Sequence, residues 1–153
     1  MLDDRTDATD DALLRGAGLR VTATRVAVLG ALRSRPHATA DDVFDAIRGA
    51  LPGTSMQSVY NALGDFADAG LARRIEPAGH PGMFELRVGD NHHHVVCTGC
   101  GRVDDVDCVV GAAPCLHAPV GSGFLIETAE VTFWGICPEC RASNEADEPR
   151  GSR

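Results

Sequence analysis

Two Cys-x-x-Cys pairs, Cys97/Cys100 and Cys137/Cys140, stand in the second half of this 153-residue chain, with His92-His93-His94 just ahead of the first. Four thiolates in two such knuckles suit a closed tetrahedral Zn²⁺ site. The pairs are separated by 36 residues and each follows a strand-like run, so one ion can anchor both ends of a small sheet. Structural zinc binding contributes about 10–16 kcal/mol, enough to decide whether a module with little core of its own folds. Thiol–disulfide chemistry at Cys137-Pro-Glu-Cys140 is the competing reading, which a lone pair would favour and a second pair disfavours. A zinc deaminase needs His-x-Glu and Pro-Cys-x-x-Cys. Here Pro138 follows its cysteine and no His-x-Glu occurs, which excludes that chemistry.

The histidines exceed what the thiolate site can use. On a strand, His92 and His94 share one face and His93 takes the other. The pair can chelate a second ion, with Asp105 on the following strand as a candidate carboxylate. Imidazole and carboxylate together suit Fe²⁺, Mn²⁺, Ni²⁺ and Zn²⁺ alike. His93, His80 and His117 read as incidental. One fixed and one exchangeable ion mark a sensor rather than a merely stapled fold.

The elements that must position these residues follow from periodicity and punctuation. Leu13 to Leu19 reads as one helix, broken at Gly16/Gly18, and Val26, Leu29 and Leu32 as a second one capped by Thr22. Arg35-Pro36-His37 ends it, because the residue before proline avoids helical angles. Thr39-Ala-Asp-Asp42 outlines a capping box for a helix with Val43, Phe44, Ile47 and Leu51 on one face. Pro52-Gly53 stops that helix, and Thr54-Ser-Met-Gln57 reads as a second box opening Val59 to Ala69. Gly70 suits the left-handed residue after it. Leu71–Ile75 and Met83–Val88 read as two strands of a hairpin. Helices followed by a hairpin make a winged helix-turn-helix, whose second turn helix enters the major groove. Beyond a hinge at Gly89-Asp90-Asn91, strands are expected at His92–Val96, Arg102–Val106, Phe124–Glu127 and Glu130–Ile136, with a short helix or turn over Gly111–His117.

Net charge is −8 and every one of the 14 basic residues is arginine. The overall sign argues against nucleic acid, but its distribution argues for it. Arg15, Arg20, Arg25, Arg33 and Arg35 lie between Ala12 and Ala40 with no acid among them, whereas Cys97 onward holds nine acids against four arginines. A phosphate backbone responds to the local field. No apolar run approaches the roughly 20 residues of a membrane span, so no membrane partner is expected. The acidic, polar start resembles no secretory signal, and a cytoplasmic location with reduced cysteines is expected.

Residues Leu13 to Arg141 resemble the ferric uptake regulator (Fur) family. The carrying motifs are Gly18-Leu-Arg-Val-Thr22 with Arg25, His37-Ala-Thr-Ala-Asp-Asp-Val43, Ser58-Val-Tyr-Asn61, Asp90-Asn-His-His-His94-Val-Val-Cys-Thr-Gly-Cys-Gly101 and Trp134-Gly-Ile-Cys-Pro-Glu-Cys140. Asp107-Cys-Val-Val-Gly-Ala-Ala-Pro-Cys115 is similar to the actinobacterial FurA/CatR-type, peroxide-responsive branch. The acidic, polar stretch over 1–12 reads as a disordered leader and the polar, charged stretch over 143–153 as a flexible, frayed tail. Between them the resemblance implies an α+β chain, a winged-helix DNA-binding domain over 13–88 followed by a small α/β dimerisation and metal-binding domain with the four-cysteine zinc site over 89–142. It implies structural Zn²⁺ on Cys97, Cys100, Cys137 and Cys140. It also implies a regulatory ion, Fe²⁺ with Mn²⁺ or Zn²⁺ as replacements, on His37, Glu85, His92, His94 and Asp105. The expected activity is repression of catalase-peroxidase and oxidative-stress genes by a homodimer on a palindromic operator of double-stranded DNA. Iron-homeostasis repression is the first alternative, and a thiol–disulfide oxidoreductase is the alternative of another class. Asp105 matches the peroxide-sensing branch, where iron-sensing members carry Glu; Glu85 departs from the Asp that branch often has. A third metal site of many members uses a histidine where this chain has Ala129, so that site is expected to be absent or degraded. Arg20 and Arg25 are expected at phosphate or in the minor groove, with Gln57, Ser58, Tyr60 and Asn61 on the recognition helix. For Tyr60, partial core packing competes with a thymine-methyl contact. Cys108 and Cys115 read either as a second redox sensor or as two small buried hydrophobes.

Overall fold

The computed structural model describes residues 4–90, 92–107, 123–125 and 130–147, and it divides into two compact units, Met1–Gly89 and Asp90–Arg153. The expectations for Gly111–His117, Cys108, Cys115 and Ala129, and for Ile126 and Glu127, lie outside the described residues.

The first unit opens with α1 (Asp4–Gly16), where the sequence predicts a disordered leader over 1–12. Asp10 and Leu14 explain the difference. Leu14 is fully buried in the core, and Asp10, 1% exposed, accepts bonds from both Arg33 guanidinium nitrogens at 3.0 and 2.5 Å. A buried carboxylate is tolerated because both its oxygens are engaged by an opposite charge. The acidic composition of this segment hid the two residues that dock it. α2 (Ala23–Ser34) is capped by Thr22, whose hydroxyl accepts from the Arg25 amide. α3 (Ala40–Ile47) carries the full capping box: the Thr39 hydroxyl accepts from the Asp42 amide, and Asp42 accepts from the Thr39 amide. Asp serves in place of the longer Glu, and the Thr39 hydroxyl also holds the Asp42 carboxyl below its ordinary range.

α4 (Met56–Asp68) is capped one residue later than predicted. Ser55, not Thr54, accepts from the amide three residues on. Its end is a Schellman turn: the Leu71 amide bonds Phe66 O at 2.8 Å and the Gly70 amide bonds Ala67 O at 3.1 Å, with Gly70 at φ +69°. That stop turns the chain into the wing, β2 (Arg73–Ile75) and β3 (Met83–Glu85), and β3 also pairs with a two-residue β1 (Ala38–Thr39). The order is β1-β3-β2, all antiparallel. The sequence suggested only the hairpin, because two residues show no period. Leu14, Val28, Leu29, Leu32, Val43, Ile47, Val59, Leu63, Phe66 and Phe84 form one core beneath the helices and sheet. This is a winged helix, with α3 and α4 as the turn pair.

In the second unit, β4 (His92–Cys97) lies between β5 (Val103–Asp107), antiparallel, and β6 (Thr132–Gly135), parallel. Helix α5 (Pro138–Asp147) begins inside the second cysteine pair and runs to Asp147, where a frayed tail is predicted from Ser143. The Arg141 amide bonds Cys137 O at 2.9 Å and the Ser143 hydroxyl bonds Glu139 O at 3.0 Å, so the knuckle itself nucleates the helix. Phe124 and Leu125 are exposed and in no strand.

Candidate metal centres and nucleic-acid interface

The sheet of the second unit brings the four cysteines together. The Cys97 amide bonds Arg102 O at 2.8 Å and the Gly101 amide bonds Cys97 O at 2.8 Å, closing the first knuckle at the end of β4. The Thr98 amide bonds Gly135 O at 2.7 Å, which ties that knuckle to the end of β6 and so to Cys137. All four sulfurs lie within 4.8 Å of one another. A tetrahedral ion with bonds of about 2.3 Å sets its sulfurs about 3.8 Å apart, and Cys100 Sγ to Cys137 Sγ is 3.8 Å. A Cβ on Gly99 would lie 3.1 Å from Cys140 Sγ, so glycine admits the fourth ligand.

Backbone dipoles prepare the cluster electrically. Cys97 Sγ accepts from the Cys137 amide at 3.2 Å and from the Gly99 amide at 3.4 Å. The Cys137 amide foremost, then those of Cys100 and Gly99, bring the Cys97 thiol down to about 6. Bonding with Cys137 and Cys100 drives Cys140 up to about 12. Four thiols this close cannot all ionise without a cation, and a divalent ion that binds all four resolves the conflict. The donor set, spacing and amide bonds fit Zn²⁺.

On β4, His92 and His94 occupy one face and His93 the other, where its ring meets Phe133 edge-on at 6.2 Å. His94 stands opposite Asp105 in register. Asp105 Oδ1 lies 3.7 Å from Nε2 of both His92 and His94. The sequence reading missed Asp90, which it took as part of a hinge. Asp90 Oδ1 is 2.6 Å from His92 Nδ1, an arrangement that leaves Nε2 turned toward Asp105. A carboxylate on the far nitrogen is how metal-ligating histidines are oriented. An acid two residues ahead of a strand histidine was the available signal.

In the first unit, His37 Nε2 lies 3.1 Å from Glu85 Oε2. His37 has φ +60°, the one non-glycine residue in the left-handed region among the described residues. Such a backbone costs about 1–3 kcal/mol and persists where surroundings hold it; here it follows Pro36 and turns the ring onto Glu85. Glu85 is 1% exposed, and its other oxygen lies 3.9 Å from Arg73 Nε across the β2–β3 pair. A buried acid in contact with a strained histidine is a half-set of hard and borderline ligands.

The predicted DNA contacts divide. On α4, Gln57, Tyr60 and Asn61 are exposed, Tyr60 by 50%, and Tyr60 is no part of the buried core cluster. Gln57 Nε2 donates to Asn61 Oδ1 at 2.9 Å, so the two present a joined polar edge. Ser58 is half-buried and engaged with the Ser55 cap. Arg20 is exposed. Arg25 is turned inward onto Asp65 and onto Arg20 O.

A winged helix joined to a small sheet with a tetrathiolate cluster defines a class, the metal-responsive, DNA-binding transcriptional regulators. The chain belongs to the ferric uptake regulator family, whose model matches residues 16–110. It is 53% identical over 131 residues to the transcriptional regulator FurA of Mycobacterium tuberculosis, covering 86% of this chain and 89% of that one. It is 33% identical over 129 residues to the peroxide operon regulator of Bacillus subtilis, covering 83% and 88%. Among solved structures it is similar to the ferric uptake regulator of Pseudomonas aeruginosa with manganese, with a TM-score of 0.62, 28% identity, and coverage of 84% and 98%. The protein is therefore a metal-responsive transcriptional repressor and not a thiol oxidoreductase; members of the family are DNA-binding dimeric regulators. No described helix is long and apolar enough to cross a membrane.

Proposed function

We propose that this repressor acts in the cytoplasm, holds a palindromic operator as an Fe²⁺-loaded dimer, and releases catalase-peroxidase and oxidative-stress genes when peroxide oxidises it. On this reading His37, Glu85, His92, His94 and Asp105 ligate the regulatory ion, while Cys97, Cys100, Cys137 and Cys140 hold Zn²⁺. The observation that carries it is Asp105, whose Oδ1 lies 3.7 Å from Nε2 of His92 and of His94. A short Asp there matches the peroxide-sensing branch. Held by these residues, Fe²⁺ would supply one electron to peroxide, becoming Fe³⁺ and leaving hydroxide and a hydroxyl-radical-level oxidant beside the ligating histidines. The protein's own part is to prepare the two ligand groups, His37 against Glu85 and His92 under Asp90. An ion that takes ligands from both groups favours the DNA-binding arrangement of the dimer by its differential affinity. At the operator, Gln57, Tyr60 and Asn61 read the major groove and Arg20 meets phosphate or the minor groove.

Iron-homeostasis repression is the second reading, favoured by Glu85 where the peroxide branch often has Asp. The test is binding to a duplex selected from a random pool, with Fe²⁺ or Mn²⁺, before and after peroxide. Both ions are expected to support binding, and peroxide to abolish it for the Fe²⁺ form alone. Peroxide-resistant binding with Fe²⁺ would establish the iron-homeostasis reading instead.

A further inference from the structure

Arg25 is a partly buried guanidinium with both terminal nitrogens bonded to the protein. It sits in the first turn of α2. One terminal nitrogen donates to Arg20 O at 2.7 Å, in the turn ahead of the helix, and the other bonds Asp65 on α4. Its side chain is 21% exposed, and that of Asp65 41%. The fork thus ties together three pieces: the turn that carries Arg20, helix α2, and the helix whose outer face carries Gln57, Tyr60 and Asn61. Arginine suits this because its planar fork holds two acceptors at fixed angles, which a lysine cannot. Asp65 is otherwise out of place. An acid on a helix that meets phosphates weakens binding by simple repulsion.

From this geometry we infer that Arg25 is a positioning residue for DNA binding. Through Asp65 and the Arg20 carbonyl it sets the register between the Arg20 turn and α4, and it does not itself contact the duplex. The inference rests on α4 being the helix that meets DNA, as proposed above.

The discriminating experiment uses the full-length, Mn²⁺-loaded protein and a duplex selected from a random pool. Arg25→Gln, Arg25→Lys, Asp65→Asn and the Arg25→Gln/Asp65→Asn double variant are titrated across a salt series. A positioning role predicts that Asp65→Asn weakens binding although it removes a negative charge, by about tenfold, the scale of one charge-assisted hydrogen bond. It predicts a similar loss for Arg25→Gln, little recovery in Arg25→Lys, and a double variant no weaker than either single one. The salt slope should stay that of the wild type. A phosphate contact at Arg25 predicts the reverse. Asp65→Asn would then bind as well or better, Arg25→Lys would bind normally, and Arg25→Gln would lower the slope by about 0.9. Either of the first two results overturns the inference. If Arg25→Gln fails to fold in a thermal melt, Asp65→Asn alone decides by the sign of its effect. Tyr60→Ala is the control for the underlying reading. If it binds normally, α4 is not the reading helix and the proposal on DNA contacts fails, whatever Arg25 does.

Discussion

Removing the Asp90 carboxylate tests whether His92 is a prepared metal ligand. His92 is fully buried at its side chain, and its Nδ1 meets Asp90 Oδ1 at 2.6 Å. Donation from Nδ1 fixes the tautomer that leaves the Nε2 lone pair for an ion, on the side where Asp105 lies 3.7 Å away. Outer partners of this type are worth about 10–100-fold in metal affinity. Asp90 is 41% exposed, so solvent screens part of the charge and the lower end applies. Asp90→Ala should therefore weaken Mn²⁺ binding about tenfold. Asp90→Asn keeps an acceptor but loses its charge, roughly halving the bond, so its affinity should fall between those of wild type and Asp90→Ala. Competition against a chelating dye measures both, and the zinc content of the same samples should not change. Wild-type Mn²⁺ affinity in Asp90→Ala would refute the reasoning, as would a parallel loss of zinc, which would mean that the sheet itself had been damaged.

Three further outcomes follow from the geometry. Cys100→Ser should lose zinc and the folded second unit, seen as absent metal and lost dimer by light scattering, because the knuckles close the sheet at both Cys97 and Cys137. Zinc affinity should fall as pH is lowered, since Cys140, held up to about 12, must release a proton on binding; below about 6, where Cys97 also takes up a proton, the fall should steepen by about one further power of ten per pH unit, read by competition titration. Asp42→Asn should lower the melting temperature at neutral pH. The carboxyl is depressed by the Thr39 hydroxyl, so its contribution is complete above the ordinary carboxylate value and disappears as pH falls through the lower folded value; the gap between wild type and variant should begin to narrow below about pH 4 and close only below the depressed folded value.

Sequence alone exposed most of what the thiolate cluster needs, since a Cys-x-x-Cys pair is a local signal and two of them imply one ion. The capping boxes were equally local, though Ser55 took the role expected of Thr54 because both can accept a bond and only the backbone path selects one. What stayed hidden depends on pairs far apart in the chain. Asp10 reads as one acid among many until Arg33, 23 residues on, is seen to hold it. Arg25 reads as a free cation until Asp65, 40 residues on, takes its guanidinium. β1 is two residues long and carries no periodicity, yet it places His37 beside β3 and so beside Glu85. Glu85 itself sits in an ordinary strand pattern, and only the family resemblance marked it.

The central claim is that peroxide acts at the histidine and carboxylate ion rather than at the cysteines. Mass spectrometry of the Fe²⁺-loaded protein after stoichiometric peroxide, paired with duplex binding on the same samples, addresses it directly. The account predicts one oxygen atom added to a peptide containing His37 or His92–His94, in proportion to lost binding, and none when Mn²⁺ replaces Fe²⁺. Unmodified histidines together with a Cys108–Cys115 disulfide, or with binding intact, would contradict it.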